Sequence, residues 1–272
     1  MNEALFNWNG STISYRKKGT GPLVVLLHGF GMDSHIWDRI ISGLNEEFCY
    51  ILPDIPGSGK SDLPKEWTIE FLAEAINALI DEIFGDKKEQ AVLVGHSMGG
   101  YIGLALAEKY PEKIKALSLI HSTTYADDQA KKEARKKSIE FIEQHGSALF
   151  IKQFIPNLFA ENNRLTKTTE INELISHYTN FSTAALVGYY EAMMLRKDRT
   201  FILKTNSHWF QFIIGDQDKA IVPSHALEQA AIPSRSSIHL LENVGHMGMI
   251  EEPNSIISIL DTFLQTIGNS RE

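Results

Sequence analysis

Basic residues are in the minority here: 26 lysines and arginines face 34 aspartates and glutamates, a formal net charge of -8. A chain of that sign has no sequence-independent hold on a phosphate backbone, which argues against a nucleic-acid partner. Cysteine is scarcer still. Cys49 stands alone, so no internal disulfide forms, no cysteine cluster offers a metal site, and its apolar neighbours predict a buried, inert thiol. No apolar run reaches the roughly eighteen residues a membrane span requires. Met1 to Asn9 also lacks a basic start followed by an apolar stretch. The expectation is a cytoplasmic protein with no membrane partner. There is no internal repeat, low-complexity tract or linker, and 272 residues at 43% hydrophobic suffice for one large core.

What the chain has is alternation. Leu5 to Trp8 and Thr12 to Arg16 read as short strands joined at Asn9-Gly10, a strong hairpin signal. Leu23 to Leu27 is the continuous aliphatic run of a strand covered on both faces, and it ends at His28-Gly29-Phe30-Gly31. Asp33 or Ser34 caps a helix carrying apolar residues to Leu44, Phe48 to Leu52 is the next strand, and Thr68 begins a helix that Gly85 ends. Ala91 to Val94 and Ile114 to Ile120 are further strands with a helix, Tyr101 to Lys109, between them.

From His121 to about Lys204 the rhythm stops, and helices are predicted instead: after Asp127 or Asp128 as far as Gly146, then after Ser147, after Thr168 or Thr169, and after Ser182. Lys131, Lys132, Arg135, Lys136 and Lys137 are interspersed with Glu133, Glu140 and Glu143, the pattern of a solvated helix face rather than an anion site. Trp209 to Ile214 and Ser237 to Leu241 restore the strands, Pro253 opens a last helix, and Asn269 to Glu272 reads as a frayed end. About eight strands alternating with helices predict an α/β protein whose central sheet is mostly parallel, with helices on both faces.

The pivot is Gly95-His96-Ser97-Met98-Gly99, where a buried strand stops and a helix begins at once. Ser97 therefore sits on a sharp turn whose glycines permit strand and helix to approach closely. A G-x-S-x-G in this setting resembles the nucleophile elbow of the α/β-hydrolases. A second stretch, Asp54-Ile55-Pro56-Gly57-Ser58-Gly59-Lys60-Ser61, mimics the tail of a phosphate-binding loop. The mimicry fails because Asp54 stands where that loop needs a glycine and Pro56 removes a backbone donor. It resembles instead the D-x-P-G-x-G-x-S turn of the α/β-hydrolases. The resemblance implies a hydrolase-fold core over residues 1–121 and 205–272, with a helical cap over 122–204 inserted after the sixth strand.

A serine hydroxyl is a weak nucleophile and needs a base, itself held by a third group. The resemblance implies the chain order nucleophile, acid, histidine, which Ser97, Asp218 and His246 satisfy. Asp216 is the competing acid. The family spacing of a glycine, two residues and an aspartate, counted from Gly215, selects Asp218 and leaves Asp216 to cap the turn. His96 is expected to pack behind Ser97, His28 to hold its loop, and His121 to be structural near the cap entrance. The other six histidines have no chemical context. Donors for the oxyanion are expected from the backbone N–H of Met98, at a helix start, and of Phe30, which the resemblance places after the His-Gly strand end.

Phe154, Leu158, Leu186, Tyr189 and Met193 are candidates to line a pocket under the cap. Size, elbow and cap position resemble the enol-lactonase, small carboxylesterase and carbon-carbon bond hydrolase group. The resulting expectation is a serine hydrolase for a small or medium carboxylic ester, lactone or thioester, working without metal or organic cofactor. Carbon-carbon hydrolysis or cofactor-free perhydrolysis by the same three residues is the alternative. A slow-turnover ligand receptor of the same fold is the reading from another class. The sequence leaves oligomeric state and pathway open.

Overall fold

A computed structural model describes residues 1–85 and 89–269. Its strands are β1 (Asn2–Trp8), β2 (Ser11–Lys18), β3 (Leu23–Leu27), β4 (Cys49–Pro53), β5 (Ala91–His96), β6 (Ile114–Ile120), β7 (Trp209–Gly215) and β8 (Ser236–Leu241). They form one eight-stranded sheet in the order β1-β2-β4-β3-β5-β6-β7-β8. β1, β2 and β4 pair antiparallel, and every pairing from β4 through β8 is parallel. The hairpin turns at Asn9 and Gly10, both at positive φ (52° and 78°), as a two-residue turn matching strand twist requires. β3, β4 and β5 are buried along their whole length, which their unbroken apolar sequences anticipate.

The helices are α1 (Asp38–Gly43), α2 (Ile69–Phe84), α3 (Met98–Lys109), α4 (Gln129–Phe154), α5 (Glu161–Thr166), α6 (Thr168–Tyr178), α7 (Thr183–Leu195), α8 (Ile202–Thr205), α9 (Pro223–Ala230), α10 (Gly248–Glu251) and α11 (Pro253–Asn269). Local chemistry sets their ends. Thr68 Oγ1 accepts the Phe71 N–H at 3.0 Å to cap α2, and Gly85 closes that helix at φ 59°. Leu72, Ile76, Leu79 and Ile80 bury one side of α2, each contributing about 1.5–3 kcal/mol of transfer free energy. α1 packs on α11 and α2 on α3, so the sheet is covered on both faces. Among the described residues no helix is long and apolar enough to cross a membrane. Of the end expected to fray, Asn269 to Glu272, the first residue closes α11 and the rest lies outside the described residues.

Between β6 and β7 the chain is helical, α4 to α8. Asp128 caps α4, and Gly146 interrupts it with φ 79° and ψ 169°, where the sequence predicts a break. α4 packs on α7, and α7 on α2. Gly188 of α7 lies against the segment just before α2, where a Cβ would overlap the Trp67 indole. One expectation fails on α4. Lys136 and Lys137 are exposed, but Arg135 turns inward, its side chain 13% exposed. It donates to Asp127 at 2.6 Å and lies over the Tyr190 ring at 5.4 Å. Buried Asp127 needs this partner and Arg196, 2.8 Å away, and a charge count along the helix cannot see that need.

Candidate active site

The parallel strands all end on one edge of the sheet, and the chemistry-bearing residues follow those ends: His28 after β3, Asp54 after β4, Ser97 after β5, His121 after β6, Asp218 after β7 and His246 after β8. Ser97 sits between β5 and α3 with φ 52° and ψ -115°, a backbone conformation that non-glycine residues rarely adopt. Its N–H donates to the Ile120 carbonyl at 3.0 Å, and Ser122 Oγ donates to the Ser97 carbonyl at 2.8 Å. The flanking glycines make the turn possible. A Cβ on Gly95 would stand 2.5 Å from the Gly100 nitrogen, and one on Gly99 would overlap the Leu27 carbonyl oxygen. The turn leaves Ser97 partly exposed amid buried neighbours.

Asp218 and His246 meet from separate loops. Asp218 Oδ1 accepts the N–H groups of Ala220 (2.8 Å) and Ile221 (2.9 Å), while Oδ2 lies 2.8 Å from His246 Nδ1. Burial alone would push the carboxyl of Asp218 up, but the His246 ring bonded to it and the His121 ring beside it hold it well below the ordinary range. The acid is therefore ionised, and as an acceptor 2.8 Å away it calls for a proton on Nδ1 of His246. Asp216 turns away and accepts the Val244 N–H at 3.2 Å, so its carboxylate ties the turn to the loop after β8.

His96 Nε2 bonds the His246 carbonyl at 2.9 Å, which ties the elbow to the loop bearing His246; the two rings are 5.0 Å apart. Burial, with the neighbouring His246 and His121, pushes His96 well below its ordinary value, so it stays neutral. His28 bridges two loops. Its Nδ1 meets the Gly29 carbonyl at 2.8 Å, and its Nε2 accepts the Ile55 N–H at 3.0 Å and stands 2.8 Å from Ser58 Oγ.

The two oxyanion-donor candidates flank the serine. Met98 opens α3, so its N–H has no partner one turn back within the helix. Phe30 follows Gly29, where a Cβ would lie 3.4 Å from the Ser97 Cβ, so the loop after β3 abuts the serine. Above it the Phe30 ring stacks on Tyr190 at 4.2 Å and meets Phe154 edge-on at 5.4 Å.

The pocket candidates are spread along that seam. Leu186 touches the position of Gly31, with 3.4 Å from its Cδ2 to a Cβ built there, and the Leu158 carbonyl accepts the His246 N–H at 2.7 Å. Met193 is buried in α7. Tyr189 is pinned by its hydroxyl to the Ile55 and Pro56 carbonyls, and burial pushes that phenol far up. A cavity of about 600 Å³ lies elsewhere, lined by Arg16, Asp33, Asp54, His177 and Tyr178 among others and by none of Ser97, Asp218 and His246. Among the described residues no cluster of three or more histidines, cysteines or acids could hold a metal ion.

Glu251 escaped the sequence reading, and His121 was expected there only as a structural residue near the cap entrance. Glu251 of α10 accepts the Gly245 (2.9 Å) and Met247 (3.1 Å) N–H groups with one oxygen and the Ala160 N–H and Asn163 Nδ2 with the other, locking the His246 loop to the helical segment. His121 is buried against Asp218. Neither lies in a motif, so only the three-dimensional structure reveals their partners.

Residues 22–253 match the family model described as alpha/beta hydrolase fold. The chain belongs to the α/β-hydrolase fold family. A pimeloyl-[acyl-carrier protein] methyl ester esterase of Aeromonas hydrophila is 34% identical to this hydrolase-fold chain over 114 residues, 41% of the chain and 42% of the relative. Among solved structures, an esterase from Thermogutta terrifontis superposes with a TM-score of 0.89 at 24% identity, covering 98% of this chain and 99% of the other. The enol-lactonase of Burkholderia xenovorans superposes at 0.88 with 22% identity, covering 96% and 100%.

Proposed function

We propose that this α/β-hydrolase-fold protein is a serine hydrolase of small or medium carboxylic esters, acting through an acyl-enzyme on Ser97. The observation that carries the reading is the 2.8 Å contact between His246 Nδ1 and an ionised Asp218, bonded through His96 to a strained serine turn. In this reading His246 Nε2 takes the Ser97 hydroxyl proton as Oγ bonds the carbonyl carbon. The oxygen that gains the electron pair meets the Phe30 and Met98 N–H groups. Collapse expels the alcohol, which takes the proton from His246. Water, activated by the same nitrogen, then releases the acid. The helical segment 122–204 serves as a cap, and Phe154, Leu158, Leu186 and Met193 face an apolar acyl group; the ester names among the relatives agree with that chemistry.

Steady-state hydrolysis of p-nitrophenyl esters from acetate to decanoate, with Ser97→Ala as the blank, tests the reading. Turnover by the native chain and its loss in the variant support it, and the preferred chain length measures the acyl pocket. Equal inactivity of both sinks the ester reading and moves the search to carbon-carbon substrates and ligands.

A further inference from the structure

His121 follows β6 directly. It is 1% exposed and holds φ 48°, a left-handed conformation that few non-glycine residues adopt. Neither of its ring nitrogens has a hydrogen-bond partner at close range. Yet Nδ1 stands 3.5 Å from Asp218 Oδ2, the same oxygen that faces His246 Nδ1 at 2.8 Å. On its other edge Nε2 lies against Gly248, where any Cβ would overlap it, so α10 gives up a side chain to make room.

An apolar ring would fill this space without burying two polar atoms, so packing alone does not account for an imidazole here. The titratable groups around the ring come from three elements: Asp218 from the loop after β7, His246 after β8 at 5.9 Å between ring centroids, and His96 of β5 at 6.1 Å. The one acid nearby on α10, Glu251, is committed to the Gly245, Met247 and Ala160 N–H groups and to Asn163.

We propose that His121 is a positioning residue for the Asp218–His246 pair: its Nδ1–H is directed at Asp218 Oδ2 beside that of His246, holding the carboxylate between two imidazoles. The inference rests on the reading of Ser97, Asp218 and His246 given above. Oδ1 is already fixed by Ala220 and Ile221, so a second donor on Oδ2 completes the restraint. It also draws off part of the charge that stabilises the protonated form of His246. Removing His121 therefore favours the imidazolium, and the base is lost at a higher pH.

The test is kcat and KM for p-nitrophenyl acetate from pH 5 to 9, with an NMR titration of the 13C-labelled His246 ring, in the native chain and in His121→Phe, His121→Ala and His121→Asn. The first two remove the donor, one keeping the ring's volume and one not. Asparagine carries a nitrogen on Cγ, as Nδ1 is carried, and tolerates positive φ. His121→Phe and His121→Ala are expected to raise the titration midpoint of His246 by about one pH unit. They lower kcat about tenfold with KM unchanged, and His121→Asn returns both toward the native values. A midpoint unmoved in His121→Phe and His121→Ala, or no recovery in His121→Asn, reduces the residue to packing. If the native chain and Ser97→Ala are equally slow, the acyl-enzyme reading fails by itself, while the NMR midpoint still decides the place of His121.

Discussion

His177 Nε2 of α6 lies 3.0 Å from Asp33 Oδ2, in the loop that also carries Phe30. Tyr178, next along the helix, donates its hydroxyl to the other oxygen at 3.2 Å, and the His35 N–H reaches that oxygen at 2.9 Å. One carboxylate thus fastens the helical segment to the loop abutting Ser97. Asp33→Ala is expected to destabilise the protein by about 1–3 kcal/mol, because three donors lose an acceptor in a largely buried place. Thermal melting reads the loss, and hydrogen exchange should quicken in α6 before the strands. Unchanged exchange in α6 would show that the helix is held by other contacts.

The elbow tolerates no side chain at Gly99, where a methyl group would overlap the Leu27 carbonyl oxygen and come within 2.8 Å of that of His28. Backbone is what it meets, so neither side can swing aside. Gly99→Ala should cost about 3 kcal/mol or more and abolish activity even where some folded protein survives. Gly85→Ala is the control, since a Cβ there meets nothing within 4 Å and only its positive φ of 59° is strained. Equal melting temperatures for the two variants would contradict the close approach described for the elbow.

Stability should fall as the solution is acidified from pH 7.5 to 5.5. Burial lowers the values of His28 and His96, the latter further through His246 and His121. Below the ordinary histidine value of about 6.5 the unfolded chain takes up protons at these residues that the folded chain refuses. The slope of stability against pH is then positive across that window. Asp54, Asp127 and Asp218 have lowered values, so their stabilising contributions persist through it and fade only at more acid pH. Melting temperatures measured every half unit should decline smoothly, and a flat or rising profile would count against neutral burial of the two imidazoles.

Much of this was legible because it is local. Thr68, Asp128 and Ser182 each cap the helix they precede, Gly85 and Gly146 stop or break one, and the glycine spacing around Ser97 fixes the elbow. Asp218 and His246 were readable from their places after strands, and the structure brings them within 2.8 Å. What escaped depends on partners distant in sequence. Arg135 looks like one more surface charge until Asp127 is found beneath it. Glu251 is an ordinary helix glutamate until four donors from two segments converge on it. His121 had no signal at all beyond its position after a strand, since its neighbour Asp218 lies 97 residues on.

The central claim is a covalent bond to one serine. A fluorophosphonate forms a bond from phosphorus to an activated serine oxygen as fluoride leaves, and it needs no knowledge of the natural substrate. Intact mass followed by peptide mapping should place a single adduct on the peptide containing Ser97, absent in Ser97→Ala and formed far more slowly in His246→Ala. An unmodified native chain, or an adduct on any other residue, would contradict the account.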